Sequence, residues 1–190
     1  MIPWDYWESY NERYSPPKAT RESYNSRRKV HGNRVFSFYF VSCFVAGTPV
    51  CTDQGWVTIE KIQPGCRVLS QDVDSGELSF RIVMATTFRP SSDILQIAVG
   101  DDEICATKGH PFWVNGKGWR MAKHLSTGDV LHTLTGPLAV SEITTRPAEP
   151  AYNLVVADGD TYFVGRNSIL VHDNKQLEPS LALVPGLLAE

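Results

Sequence analysis

Residues 55–70 read GWVTIEKIQPGCRVLS, and residues 118–133 read GWRMAKHLSTGDVLHT. The two stretches align at a constant offset of 63 positions, and the tripeptides TPV (48–50) and HPF (110–112) correspond just upstream. Three identities at fixed spacing carry the alignment, namely Gly55/Gly118, Trp56/Trp119 and Gly65/Gly128. Two copies are too few for a solenoid. The repeat therefore predicts two similar β-subdomains related by a pseudo-two-fold axis, with a cleft between them where a site could lie.

Short apolar runs of strand length surround both copies. They are bounded by Gly, Pro, Asp and Asn, a pattern typical of an all-β domain. Only TIEKI (58–62) and WRMAKHL (119–125) indicate brief helical turns. The runs are VFSFYFV (35–41), TPVCT (48–52), WVTI (56–59), RVLSQDV (67–73), ILQIAV (94–99), EICAT (103–107), PFWV (111–114), DVLHTL (129–134), YNLVV (152–156), TYFVG (161–165) and SILVH (168–172).

Composition and charge narrow the class of protein. The 190 residues are 42% hydrophobic and 21% charged, which is typical of a globular chain. A net charge of −3 gives no electrostatic reason to expect nucleic-acid binding, and no apolar stretch approaches the ~20 residues of a membrane helix. Residues 1–42 carry seven basic and four acidic side chains, against eleven and seventeen in the remainder, which supports a boundary near residue 42.

The cysteines give no sign of a metal site. No CxxC and no His spacing suggests zinc among Cys43, Cys51, Cys66 and Cys105, so we expect no metal and no cofactor. A chain of this length forms a core without disulfides, and the cysteines are interpreted as thiols. The segment SRRKVHGNRVFSFYFVSC (26–43) loosely resembles an export signal, but its short, aromatic apolar run favours a buried strand.

Three further stretches contain residue types that can support chemistry: SCFVAGTPV (42–50), ATKGHPFWV (106–114) and TYFVGRNSILVHDN (161–174). With both GW…G segments and YNLVV, their order and spacing resemble the Hint domain, the fold shared by inteins and the Hedgehog autoprocessing region. The resemblance is closest to the bacterial intein-like type called pretoxin-Hint, found in large secreted toxin proteins. It implies an all-β, flat, horseshoe-like fold over residues 43–174. A poorly ordered leader (1–42) with a strand near 35–41 would precede it, and a short flank (175–190) would follow.

The resemblance implies an acyl shift at the first of these stretches. Cys43 would attack the carbonyl of Ser42 and replace the amide by a thioester; the alternative is that Cys43 is a small buried apolar residue. His110 would protonate the departing nitrogen of Cys43, unless it is a structural histidine before PFWV. Thr107 and nearby backbone N–H groups would hold the oxyanion.

The last stretch implies a second cut. In the family a His is followed directly by an Asn that cyclises on its own carbonyl, but here Asp173 follows His172. Either Asp173 takes the terminal position or Asn174 does; we favour Asn174, assisted by His172, because a carboxylate resists forming the ring. Lys175 has no hydroxyl or thiol to accept an acyl group, so cleavage is expected rather than splicing.

Two more residues near these stretches have alternative interpretations. Asp160 stands where relatives often carry His, so it is either an acid–base assistant or a turn aspartate. Cys105, two residues before Thr107, is either a structural thiol or a redox partner of Cys43.

The main functional hypothesis is an autocatalytic, single-turnover domain that acts as a monomer on its own flanking polypeptide. The first alternative is a catalytically degenerate Hint-fold module that serves for binding or as a spacer. The second is a papain-like cysteine hydrolase that uses Cys43 and His110 on peptides in trans. Relatives often belong to exported or cell-surface bacterial proteins, but the compartment of this protein stays open.

The segment after Asn174 has sixteen residues, which are too few to form a toxin.

Overall fold

The computed structural model describes residues 42–173, and these form an all-β fold. Two short 3₁₀ turns, Ile59–Lys61 and Ala122–His124, are the helical elements of this range, and none of its helices is long and apolar enough to cross a membrane. Within it lie twelve strands: β1 Phe44–Val45, β2 Pro49–Thr52, β3 Gly55–Thr58, β4 Arg67–Gln71, β5 Leu78–Val99, β6 Asp102–Thr107, β7 Pro111–Val114, β8 Gly118–Met121, β9 Val130–Leu131, β10 Leu138–Val156, β11 Thr161–Val164 and β12 Ile169–His172.

The predicted all-β class is therefore confirmed. The strand expected near 35–41 lies outside the described residues, as do most of the leader, Asn174 and the flank 175–190. The domain boundaries at residues 43 and 174 stay predictions.

The internal repeat corresponds to two antiparallel hairpins, β2–β3 and β7–β8, each of which runs directly into a 3₁₀ turn. The second strand of each hairpin begins with a glycine in the left-handed region, Gly55 at φ +94° and Gly118 at φ +69°. Side chains other than glycine rarely adopt this conformation, which explains why the Gly-Trp pair recurs. The prediction of two similar β-subdomains is confirmed.

Two very long strands, β5 and β10, connect the parts of the fold. They pair antiparallel along most of their length, with register shifts between Arg146 and Glu149 and between Glu149 and Ala151. Sequence reasoning predicted only their carboxyl-terminal ends as strands, because FRPSSD (88–93) and RPAEP (146–150) look like turns. Proline is tolerated at such irregularities, where a ladder hydrogen bond is already missing.

A closed circuit of strand pairings holds the start of the domain. β1 pairs with both β6 and β10, β6 pairs with β5, and β5 pairs with β10. Phe44 belongs to the main core, whereas Cys43 packs in a separate small cluster with Ile94 and Ala151. The chain therefore enters the fold with the peptide bond before Cys43 fixed between two neighbouring strands.

The turn between β11 and β12 packs tightly on the start of β6. The Arg166 N–H donates to a carboxylate oxygen of Asp102 at 2.5 Å, and Gly165 has φ +74°. A Cβ atom at Gly165 would overlap Ile104 Cδ1 and lie 2.7 Å from Asp102 Oδ2. Position 165 thus needs glycine both for its backbone conformation and for its space.

We expect Gly165→Ala to lower the free energy of unfolding by about 1–3 kcal/mol more than Gly116→Ala. Gly116 has the same φ of +74°, but nothing lies within 4 Å of its would-be Cβ. Gly116→Ala therefore introduces the same backbone strain without a steric overlap of the new Cβ atom. Urea unfolding of both variants measures the difference, and equal losses would contradict the packing argument.

Candidate functional site

The Ser42–Cys43 peptide bond is held at both ends by side chains from neighbouring strands. Asn153 Nδ2, on β10, donates to the Ser42 carbonyl oxygen at 2.6 Å. The Cys43 N–H donates to Thr107 Oγ1, on β6, at 2.9 Å. Ser42, Thr107 and Asn153 are all buried. The donor polarises the carbonyl where negative charge would develop in an acyl shift, and the acceptor on the N–H fixes the orientation of the amide.

Thr107 contacts the Ser42–Cys43 peptide bond, as predicted, but at the nitrogen rather than at the carbonyl oxygen. The sequence argument placed Thr107 beside the carbonyl oxygen, whereas its hydroxyl accepts from the amide nitrogen. The reason is strand register: Phe44 pairs with Ala106, and the Thr107 N–H donates to the Cys43 carbonyl at 2.9 Å. Thr107 is therefore anchored opposite Cys43, where its side chain reaches the Cys43 nitrogen.

Asn153 is the residue that sequence reasoning missed. Its Oδ1 accepts from the Tyr162 hydroxyl at 2.5 Å and from the Leu154 N–H at 2.7 Å, so its Nδ2 must face Ser42. The available signal was a polar amide inside the apolar strand YNLVV. A fully buried asparagine requires partners for both ends of its amide, and here one partner is the Ser42 carbonyl.

His110 lies beside the same bond, in contact with the Ser42 side chain. Its Nδ1 is 2.9 Å from Ser42 Oγ, and its ring packs on Phe44 at a centroid distance of 3.9 Å. His110 Nε2 has no hydrogen-bond partner in the described part of the chain. Burial, with a smaller contribution from the charge of His172, holds the pKa of His110 well below its usual 6.5. The imidazole is therefore neutral at neutral pH.

The Cys43 thiol is only 2% exposed. Burial raises the pKa of Cys43 to about 11, and the Arg89 guanidinium and the Thr87 hydroxyl oppose part of that rise. A thiol with this pKa is ionised in roughly one molecule in ten thousand at pH 7. Attack by Cys43 would therefore need a base to take its proton.

The carboxyl-terminal residues form a second buried cluster. His172 Nδ1 is 3.1 Å from the Asp173 carbonyl oxygen and 3.4 Å from Asp173 Oδ1. Asp173 Oδ2 accepts from the Val156 N–H at 2.8 Å. The His172 ring packs edge-on against Trp119 at a centroid distance of 5.0 Å. The predicted pair of His172 and Asp173 is thus locked in place, while Asn174 lies outside the described residues.

Asp160 contributes through its backbone. It sits in the turn before β11 with φ +54°, and its carbonyl accepts from the Asp173 N–H at 2.8 Å. Aspartate is among the residues that tolerate this left-handed conformation. Asp160 therefore anchors the carboxyl-terminal junction through its carbonyl, and its acid–base role stays a prediction.

The two junctions meet around Tyr162. Burial, with the charges of Cys43 and Asp173, raises the pKa of Tyr162 well above its usual 10. The Tyr162 hydroxyl donates to Asn153 Oδ1, and the Tyr162 ring lies 6.4 Å from the Phe44 ring. Strand pairing places the preceding residue, Thr161, opposite His172. The predicted residues at the two ends of the domain therefore lie in one neighbourhood.

The remaining cysteines are free thiols. Cys105 packs against the cluster that contains Cys43, and none of the four cysteines of residues 42–173 is in a disulfide. No group of three or more His, Cys, Asp or Glu in this range is arranged to hold a metal ion.

The strand order and the shared junction define the Hint, or intein-like, class of autoprocessing domains. A bacterial intein-like domain from Clostridium thermocellum is 34% identical over 70% of this chain and 99% of its own, with a TM-score of 0.67. Two inteins share the fold at lower identity. A Synechocystis DnaB intein is 17% identical over 69% of this chain and 97% of its own, with a TM-score of 0.61. The gp41-1 intein is 22% identical over 70% of this chain and 98% of its own, with a TM-score of 0.59.

The family follows from sequence as well. The model of the pretoxin HINT domain family matches residues 49–174, which is more than half of the chain. The chain belongs to this family, and the predicted resemblance is confirmed. No curated protein matches it.

We expect the Cys43 thiol to titrate with a pKa of about 11, above the ordinary 9.0. The folded state then holds this proton more tightly than the unfolded state. Its contribution to stability is complete below pH 9 and is lost as the pH rises through 11. The thiolate absorbance of the wild type minus that of Cys43→Ala should have its midpoint near 11. A midpoint below 9 would show that the thiol is not desolvated.

Proposed function

We propose that the domain cuts its own polypeptide at Ser42–Cys43 through a thioester. The observation that carries the proposal is the pair of hydrogen bonds on this peptide bond, from Asn153 to its oxygen and to Thr107 from its nitrogen. In the first step the Cys43 sulfur adds to the Ser42 carbonyl carbon. Negative charge develops on the carbonyl oxygen, where the Asn153 amide already donates.

The leaving nitrogen needs a proton, and His110 supplies the route. The neutral imidazole, whose Nδ1 is 2.9 Å from the Ser42 hydroxyl oxygen, takes a proton as the thiol attacks. Its low pKa then favours release of that proton to the nitrogen of Cys43. The first transfer is uphill, because burial raises the pKa of Cys43 and lowers that of His110. A slow reaction suits a domain that acts once on its own chain.

The carboxyl-terminal junction is cut by cyclisation of a terminal side chain, promoted by His172. The sequence favours Asn174 and leaves Asp173 as the alternative. Lys175 provides no nucleophile to accept the acyl group, so the products are separate fragments. The substrate is the flanking polypeptide on either side, and no cofactor takes part.

One observation favours the alternative of a catalytically degenerate module for binding or as a spacer. The thiol is buried and protonated, and such cysteines are usually inert. The same burial argues against a papain-like hydrolase, since a peptide in trans would have to reach a thiol that is 2% exposed.

Incubation of the full chain with a small thiol should release a fragment that ends at Ser42, because thiols attack thioesters and leave amides intact. Cys43→Ala should give no such fragment, whereas Cys66→Ser should behave as the wild type, since Cys66 is an exposed turn residue. Intact mass over time measures the reaction. A wild-type chain that stays whole would leave the degenerate module as the function.

Asn153→Ala should slow thiol-induced cleavage by roughly 10²–10³-fold, the usual effect of removing one oxyanion donor. Tyr162→Phe should slow it less, because the Leu154 N–H still orients the Asn153 amide. Rates are compared among variants whose circular dichroism matches the wild type. A folded Asn153→Ala chain that cleaves at the wild-type rate would remove Asn153 from the mechanism.

A further inference from the structure

The contacts of His172 favour Asp173 as the residue that cyclises. His172 Nδ1 lies 3.1 Å from the main-chain carbonyl oxygen of Asp173, the oxygen of the Asp173–Asn174 peptide bond. This is the relation a catalytic imidazole needs to the carbonyl whose bond is to be cut. To serve the carbonyl of the next residue, His172 would first have to leave this one.

The Asp173 side chain is also fixed by two contacts. One carboxylate oxygen accepts from the Val156 N–H at 2.8 Å, and the other is 3.4 Å from His172 Nδ1. The backbone is fixed too, since the Asp173 N–H donates to the Asp160 carbonyl at 2.8 Å. The side chain is fully buried, so little water solvates the carboxylate and its nucleophilicity is retained. Nucleophile, carbonyl and imidazole thus belong to one anchored pair of residues.

We propose that Asp173 is the cyclising residue and that the scissile bond at this end is Asp173–Asn174. This assignment rests on the proposed self-cleaving function. An Asp173 carboxylate oxygen bonds to the main-chain carbonyl carbon of the same residue and closes a five-membered cyclic anhydride. The bond to the Asn174 nitrogen breaks, and that nitrogen takes a proton delivered through His172 and leaves as an amine. One water then opens the anhydride into two carboxyl groups.

The site of cleavage can be read from mass alone. The full 190-residue chain is incubated without added thiol, and the fragments are identified by intact mass and by the first residue of the released peptide. Cleavage by Asp173 gives a chain that ends at Asp173 and a peptide that begins with Asn174. Cleavage by Asn174 gives fragments that differ by one asparagine residue, and the released peptide begins with Lys175.

Two variants and one label make the test specific. Asn174→Ala should still cleave after position 173, because the proposal gives Asn174 no role beyond its nitrogen. Asp173→Asn keeps the size of the buried side chain and should yield a cyclic imide end, lighter than the opened wild-type product. In water enriched in heavy oxygen, the anhydride places the label in either carboxyl of Asp173, whereas direct hydrolysis labels only the main-chain carboxyl.

Each outcome decides the proposal separately from the thioester. A fragment ending at Asn174 that disappears in Asn174→Ala overturns it. So does a chain that is cut by thiol at Ser42 but stays whole beyond residue 172, or a label confined to the main-chain carboxyl. A third outcome is that thiol does not cut the chain at Ser42 but a peptide beginning at Asn174 is still released. That result would exclude the Cys43 reaction and support cyclisation of Asp173.

Discussion

The orientation of one buried amide, that of Asn153, is the constraint on which the amino-terminal junction depends. Its oxygen accepts from both the Tyr162 hydroxyl and the Leu154 N–H. With the oxygen occupied, the Nδ2 group must find its acceptors on the other side, and it finds the carbonyl and hydroxyl oxygens of Ser42. An unpaired buried amide costs about 1–3 kcal/mol. The requirement to satisfy Asn153 therefore fixes the peptide bond before Cys43.

The same enclosure that fixes this bond also suppresses the nucleophile. The circuit of β1, β6, β5 and β10 excludes water from Cys43, and exclusion of water raises the pKa of the thiol. Arg89 and Thr87, both on β5, lower the pKa of Cys43 by only part of the rise that burial causes. A thiol that is rarely ionised would be a disadvantage for an enzyme with many turnovers. A domain that reacts once tolerates it, because a protonated, enclosed thiol in the folded chain is protected from oxidants and metals before it reacts.

Much of the fold follows from sequence, because hairpins and their turns are local. The repeated Gly-Trp pair predicted two similar β-subdomains, and each predicted apolar run within residues 42–173 overlaps a strand. The full length of β5 and β10 does not follow, since Pro90 and Pro147 are accommodated by register shifts that only the partner strand reveals. The same limit applies to the site. Cys43 and His110 are recognisable as residue types, whereas the roles of Thr107 and Asn153 depend on pairing between strands distant in sequence.

Electrostatics links the two junctions of the domain. Burial, with a smaller contribution from the charge of His172, holds the pKa of His110 below its usual value. Each proposed cut needs its own imidazole to carry a proton at the moment of bond breaking. A charge on His172 therefore makes protonation of the buried His110 less favourable.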